Sequence, residues 1–522
     1  MTKKRFNITG TCFPDQHYMV DIRHTLDKMQ ELVDEGIYFT INRGRQYGKT
    51  TTLSLLRKRL EAAGYVVFFI SFEAIEDEAY QSAGRFCARF FKLLKRQIDY
   101  GLVKNLSENP EALFAEAGSS IALDEADLLI SRICQGQTNR IVILIDEVDN
   151  AGNFDAFLKL LGLLRNKYLR RDEVPAFHSV ILAGVYDVKN LKLRLRPEEQ
   201  HQYNSPWNIA VSYSDDMSLS LNGIVGMLTE YEKDHGTGMD VEAMAKLLRD
   251  YTSGYPFLVS RLCMLMDQEK EADSWTMPGF QRAVKHILTE QNTLFDDMIK
   301  KLRQFPKMRD ILYEILYTGK RITFNTDDGP LNIAAMFGYI YDKNGAVAIS
   351  NRIMGMRMYN LFDSEFSTSE SGVYTAGSIE KSQFIKDGTL DMSHILERFI
   401  VHYSEIYGNR DEQFHEKEGR KYFLFYLKPI INGTGNYYVE AETLDEDRMD
   451  VVVDYLGQQY VVELKIWRGK AYHEKGEKQL VGYLESLHLT KGYMLTFNFN
   501  QKKIPGMKEV TLDGKTIFEA VV

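Results

Sequence analysis

At 522 residues, with 44% hydrophobic and 26% charged side chains, the chain has the make-up of an ordinary globular protein with ample core, long enough for three or four domains. A formal net charge of −9 excludes a strongly basic protein, so any nucleic-acid contact has to come from local patches. Cys12, Cys87, Cys134 and Cys263 lack paired spacing and a matching histidine cluster, the opening MTKKRF has no apolar h-region, and no apolar run approaches the roughly 18 residues of a spanning helix; a chain of the reducing cytoplasm, off the membrane, is expected.

In chain order, CFPDQHYMVD comes first, with His17, Tyr18 and Asp21 placed either to touch a ligand or to pack the entry segment; packing is the simpler reading. GIYFTINRGRQYGKTTTLSLLRKRL (36–60) then reads as an apolar strand, a glycine-containing loop and a helix carrying Leu53, Leu55 and Leu56. This is the strand–loop–helix setting of a P-loop, in which backbone N–H groups and a helix N-terminus hold phosphate oxygens. Gly44, Gly48, Lys49, Thr50 and Thr51 are the nucleotide-contacting candidates, with Lys49 reaching the β/γ-phosphates and the Thr50 hydroxyl ligating Mg²⁺. The pattern departs from G-x4-G-K-[ST] at its first position: Arg43 stands there and Gly44 comes one residue late, which is expected to change the turn. Residues 74–139 read as mostly helical, and the basic, aromatic stripe GRFCARFFKLLKRQ as an amphipathic core helix with a solvated face. RIVILIDEVDN (140–150) is a buried parallel strand ending in Asp146, placed to hold Mg²⁺ through water, and Glu147, placed to polarise an attacking water. Arg170-Arg171 reads as a solvent-facing helix end, with an arginine finger as the sharper alternative, and HSVILAGVYDV (178–188) as a further apolar strand.

Residues 214–290 read as four helices that would lie over the nucleotide as a lid. Residues 291–363 change character: a helix, a short strand RITF, a small helix LNIAAMFG, a hairpin with Asn344-Gly345 as a type I′ turn, and a final helix, a layout that resembles a winged helix. LNIAAMFG has no Lys or Arg, so docking between domains is at least as good a role for it as base reading. Residues 364–386, rich in Ser, Thr and Gly, read as a linker.

The last segment, 387–522, carries the sharpest signal. RMDVVVDYLGQQYVVELK reads as two β-branched strands joined at Leu456-Gly457. With a two-residue loop, Asp450 faces Glu463 at roughly 5 Å between Cβ atoms, and Lys465 returns to the same face. A three-residue loop would instead put Val462 opposite Asp450. Opposed carboxylates destabilise a sheet unless a cation lies between them, and two acids with one amine suit a Mg²⁺ site that activates water against phosphate. A helix, HEKEGRKYFLFYLKPI, and a strand, YYVEAET, precede the hairpin; a helix with Gln479 and Tyr483 four apart on one face, and a strand, KGYMLTFNF, follow it. The order is αβββαβ.

D-x12-E-x-K with Q-x3-Y in this order resembles the PD-(D/E)XK nuclease superfamily, in its RecB-like branch. The resemblance implies Asp450 and Glu463 as metal ligands, Lys465 as the residue that orients or activates water, Gln479 and Tyr483 as supporting catalytic residues, and Glu416 (or Glu418) as the additional acid of the preceding helix. The proline that names the superfamily is absent; Met449 stands there. Residues 1–290 resemble the AAA-ATPase-like proteins commonly fused to such nucleases in bacteria, whose loop often reads R-x-R-[QR]-[FY]-G-K-[ST], and by that resemblance GYPFLVSRL opens a lid helix on which Arg261 senses the γ-phosphate. The expected fold class is α/β: a P-loop AAA-like ATPase core (1–213) with helical lid (214–290), a winged-helix middle domain (291–363), a linker (364–386) and an αβββαβ PD-(D/E)XK nuclease domain (387–522). The function implied is an ATP-hydrolysing protein that controls a Mg²⁺-dependent nuclease, with Mn²⁺ as a substitute ion, DNA as the expected nucleic-acid partner, no membrane partner and a homo-oligomer as a candidate assembly. The alternative is a nucleotide-dependent switch or assembly ATPase whose nuclease-fold domain binds nucleic acid or protein without cutting.

Overall fold

The computed structural model describes residues 3–522 apart from 153, 186–206, 270, 319–321, 367–371, 387, 408–415, 432–434, 441–448, 457, 468, 487–488 and 499–503. The chain divides into two compact units, Met1–Gly236 with Gly254–Met264 and Met336–Gly338, and Thr237–Ser253 with Leu265–Ala335 and Tyr339–Val522.

The first unit is built on a five-stranded parallel sheet of β1 (Phe39–Asn42), β2 (Val66–Ser71), β3 (Ile141–Asp146), β4 (Ser179–Gly184) and β5 (Val211–Ser212), in the order β2-β3-β4-β1-β5. β3 and β4 are buried at every position. Their uninterrupted aliphatic runs suit strands covered on both faces, where an alternating pattern would leave polar groups dry. Ile41, Val67 and Leu144 face Leu26, Met29, Leu53 and Leu56 of the helices Arg23–Asp34 and Lys49–Ala62. Phe68, Ile70, Ile143 and Ile145 face Phe86, Phe90, Ile130 and Phe157 of the helices Ala83–Asp99, Leu123–Gln135 and Asp155–Leu169. The basic stripe of 84–97 is thus a core helix, with Phe86, Phe90, Phe91 and Leu94 inward and Arg85, Lys92 and Arg96 in solvent. The strand read over 178–188 is β4; its residues 186–188 lie outside the described residues.

The four helices read over 214–290 form as Leu221–His235, Val241–Thr252, Pro256–Gln268 and Met277–Thr289. They are not one compact body: the first belongs to the amino-terminal unit, the second and fourth to the other. The helix Pro306–Thr318, an isolated bridge Thr323↔Ala346, the helix Gly329–Met336 and the hairpin β6 (Ile340–Lys343) and β7 (Ala346–Ile349) follow. Asn344 and Gly345 turn that hairpin at φ 53° and 84°, as the type I′ reading requires.

The expectation of a linker over 364–386 is corrected. The helix Arg352–Phe366 runs into that stretch, Gly372–Glu380 is itself a helix, and β8 (Ile385–Lys386) pairs with β9 (Thr389–Leu390). The small residues that read as loop composition serve close packing: a Cβ on Gly377 would lie 2.2 Å from the Tyr426 carbonyl oxygen. Glu380 at its end accepts from Arg398, His402 and Tyr426.

The second unit ends in a six-stranded sheet of β10 (Gly435–Glu440), β11 (Met449–Tyr455), β12 (Gln458–Ile466), β13 (Lys491–Phe497), β14 (Gly506–Leu512) and β15 (Lys515–Val521), ordered β10-β11-β12-β13-β15-β14. The helix Glu416–Ile431 precedes β10, and Lys470–Ser486 joins β12 to the parallel β13, so the order αβββαβ is present. No helix among the described residues is long and apolar enough to cross a membrane.

Candidate nucleotide site and candidate metal centre

β1 delivers its loop at the carboxyl end of the sheet, beside β4. Arg43 does not obstruct the turn. Its guanidinium is tied to the carbonyls of Asn42 at 2.8 Å and Asp215 at 2.6 Å, which leaves the close approach to the next residue. A Cβ on Gly44 would lie 2.8 Å from the Phe337 carbonyl oxygen, so glycine one position late is what this loop demands. Gln46 at φ 55° and Gly48 at φ 82° then bend the chain into the helix Lys49–Ala62.

Lys49 is 6% exposed and donates to the carbonyl oxygens of Arg43 and Gly44, each at 3.0 Å. Burial lowers its pKa, opposed by Asp149, Glu147 and Asp146. The Thr50 hydroxyl, in the first turn of the helix Lys49–Ala62, donates to Asp146 Oδ2 at the end of β3 at 2.6 Å. A hydroxyl and a carboxylate are hard oxygen donors, and the pair fits a Mg²⁺ ion. Glu147 is held at φ 54°, a left-handed conformation unfavourable for a long side chain, and its N–H donates to Asp146 Oδ1 at 2.9 Å. Burial first and the Asp146 charge second raise the Glu147 carboxyl above its ordinary range.

The remaining amino-terminal candidates fall differently. The Thr51 hydroxyl accepts from the Cys12 N–H at 3.0 Å and so pins the entry segment to the loop helix, a packing contact where a nucleotide contact was expected. His17 Nδ1 accepts from Phe13 N–H at 2.8 Å and Tyr18 donates to Asp234 at 2.9 Å, both buried in the entry segment, while Asp21 is exposed and accepts from Arg23. Arg170 pairs with Glu173 and Arg171 lies over the Tyr168 ring, a helix end in solvent. Arg261 is half-buried on the helix Pro256–Gln268, with Nη1 3.4 Å from Met264 Sδ. The start of that helix reaches the loop: Tyr255 donates to the Arg45 carbonyl and Pro256 abuts Gly48. Sequence reasoning missed Tyr255 and also Asp149, whose Oδ2 accepts from Val185 N–H at 2.5 Å beneath Gly184. A third acid in DEVDN was the available signal.

In the second unit, Tyr455 pairs with Gln458, and the ladder runs out to Asp450 opposite Glu463. The two-residue loop is therefore the one adopted, with Leu456 at φ 44°; Gly457 lies outside the described residues. Opposed positions of a ladder share a face, and position 465 returns to that face. Glu463 is 0% exposed and Lys465 3%, with Lys465 Nζ 3.2 Å from Glu463 Oε1. Thr496, buried on β13, is the ladder partner of Lys465. A dehydrated ion pair contributes little to stability on balance, so packing alone does not account for this one. Gly476 of the helix Lys470–Ser486 makes the room: a Cβ there would lie 2.1 Å from Lys465 Nζ. That glycine was not singled out in the sequence, although a glycine inside a helical pattern is a signal. Gln479 is half-buried on the same helix. Tyr483 and Glu416 have described backbone, on that helix and at the start of Glu416–Ile431 respectively; their side chains and that of Asp450 lie outside the described residues.

Several solved structures show a remote likeness, these three among them. The Walker-type ATPase PABY2304 of Pyrococcus abyssi matches at 13% identity and TM-score 0.46, over 68% of this chain and 99% of that one. The ADPNP–ADP complexes of the Aeropyrum pernix ORC2 protein match at 14% and 0.40, over 69% and 97%. The Aeropyrum pernix ORC1 protein in complex with DNA matches at 12% and 0.28, over 67% and 94%. No curated protein matches the chain. Residues 14–320, more than half the chain, match the family model of the AAA-like domain, which encloses the Lys49 loop and the Asp146 strand. The chain belongs to the AAA-like domain family and is an ATP-binding, ATPase-type protein.

Proposed function

We propose that ATP binding and hydrolysis by the AAA-like domain control a Mg²⁺-dependent nuclease centre on β11 and β12 that cleaves phosphodiester bonds in DNA. The observation that carries this reading is the register of Asp450 against Glu463, with the Lys465 amine 3.2 Å from Glu463 and both of these residues buried. In it, Asp450 and Glu463, with Glu416 as a further acid, hold the divalent ion, which polarises water and phosphate when bound. Lys465 orients the attacking water, and Gln479 and Tyr483 support it. At the nucleotide, Lys49 and the loop N–H groups of Gly44 and Gly48 cradle the phosphates, Thr50 and Asp146 hold Mg²⁺, Glu147 polarises water and Arg261 senses the γ-phosphate. Residues 291–363 are read as a winged helix on their order of helix, bridge, helix and hairpin. The small helix Gly329–Met336 has no basic side chain, which favours docking over base reading. A cytoplasmic setting and the cutting of foreign or damaged DNA, in defence or mobile-element biology, complete the reading.

The test is incubation of purified full chain with single- and double-stranded DNA and RNA, Mg²⁺ or Mn²⁺, with and without ATP. Cleavage lost by about 100-fold or more in Asp450→Ala and Lys465→Ala is expected. No cleavage under any metal or nucleotide condition, or cleavage unchanged in both variants, overturns it. Nucleic acid bound without cutting, and without Mg²⁺ uptake that depends on Glu463, identifies a nucleotide switch instead.

A further inference from the structure

A second cluster of metal-ligating side chains lies under the same helix and plays no part in the reading above. His473 and Glu477 stand four residues apart on Lys470–Ser486, hence on one face. Both look onto Glu519 of β15, and one ligand atom from each of the three residues lies within 4.8 Å of the others. A point equidistant from atoms that far apart is under about 3 Å from each, so small side-chain shifts reach metal-bonding lengths of roughly 2.0–2.2 Å. The Glu519 carboxylate is 0% exposed. Its Oε2 accepts from His473 Nε2 at 3.0 Å and from the Lys508 amine at 2.5 Å. Its other oxygen, Oε1, is buried and receives no hydrogen bond from a donor among the described residues, while the Glu477 carboxyl lies within hydrogen-bonding reach of the Glu519 carboxylate; two acids this close around a dry oxygen make a place for a cation.

We propose that His473, Glu477 and Glu519 bind a divalent transition-metal ion, Zn²⁺ or Mn²⁺, as a clasp that fixes the helix Lys470–Ser486 to β15. One imidazole and two carboxylates are a donor set for these ions, and three protein ligands leave a position for water. The site is separate from the β11–β12 centre. Glu519 is the ladder partner of Met494, which is the ladder partner of Glu463. Two strand spacings set the acids roughly 10 Å apart, too far for the roughly 4 Å of a shared two-metal centre. The ion therefore acts on position: it anchors the helix that supplies Gly476 and Gln479. Lys508, opposite Glu519 on β14 and exposed, is the cation the ion displaces.

The full chain, stripped with a chelator, is titrated with Zn²⁺ and with Mn²⁺ by calorimetry, and with Co²⁺ as a visible-absorption probe of imidazole ligation. Apart from any Mn²⁺ taken up at the β11–β12 centre, one ion whose binding weakens about tenfold or more in His473→Ala and Glu519→Gln, holds in Glu463→Gln, and holds or tightens in Lys508→Ala is the expected result. Glu477→Gln, a milder change, serves if the others fail to fold. No uptake, or uptake kept in His473→Ala and Glu477→Gln and lost in Glu463→Gln, overturns the proposal. The cleavage assay reads the β11–β12 centre independently.

Discussion

Glu147 illustrates how much a single residue's setting decides. As the residue after a strand-ending aspartate it was recognisable as a candidate base, but its left-handed φ of 54° and its raised carboxyl come from the packing around it. A base must be deprotonated, and a raised pKa delays that. ATP hydrolysis should therefore climb with pH through a value above the ordinary carboxylate range and level off beyond it. Glu147→Gln should keep ATP binding, cut turnover by about 100-fold or more and abolish that pH step, all readable from steady-state phosphate release. Gly476 shows the converse case, in which the absence of a side chain matters. Gly476→Ala is expected to push the Lys465 amine aside and cost at least about tenfold in cleavage while circular dichroism stays native; unchanged cleavage would show that the amine's place is immaterial.

At the scale of elements, the hairpin β11–β12 was legible because its information is local. Two β-branched runs and a two-residue turn fix which residues face each other, and the alternative slip by one residue would have sent Glu463 to the other face. The segment 364–386 was illegible for the opposite reason. Its Ser, Thr and Gly residues carry no apolar period, and the helix Gly372–Glu380 forms because a partner helix accepts its small face. Gly377→Ala, with its new Cβ 2.2 Å from the Tyr426 carbonyl, should destabilise the fold by about 1–3 kcal/mol, seen as a lowered denaturant midpoint; a neutral result would mean that the two helices separate easily.

For the molecule as a whole, membership of the AAA-like family makes nucleotide a stabilising ligand. ATP at about 100 times its dissociation constant should add about 2.7 kcal/mol to the stability of the state that binds it, measurable as a rise in melting temperature. Lys49→Ala removes the buried amine that lies over the Arg43 and Gly44 carbonyls, and should abolish that rise. A full ATP-dependent shift in Lys49→Ala would remove the loop from the nucleotide site.

The residues themselves determined the local geometry of two candidate sites: a strand–loop–helix with Lys49 and Thr50, a strand ending in Asp146, and a hairpin register that opposes Asp450 and Glu463. Each of these is written in spacing along a few consecutive residues, where backbone period leaves little choice. What only tertiary structure decided are meetings between distant segments. Phe337 demands glycine at 44, Cys12 takes up the Thr51 hydroxyl, Gly476 opens a place for Lys465, and Glu519 meets His473. Such contacts depend on which faces the folded chain presses together, and that is set by the packing of whole elements, for which no local pattern in the sequence is a substitute.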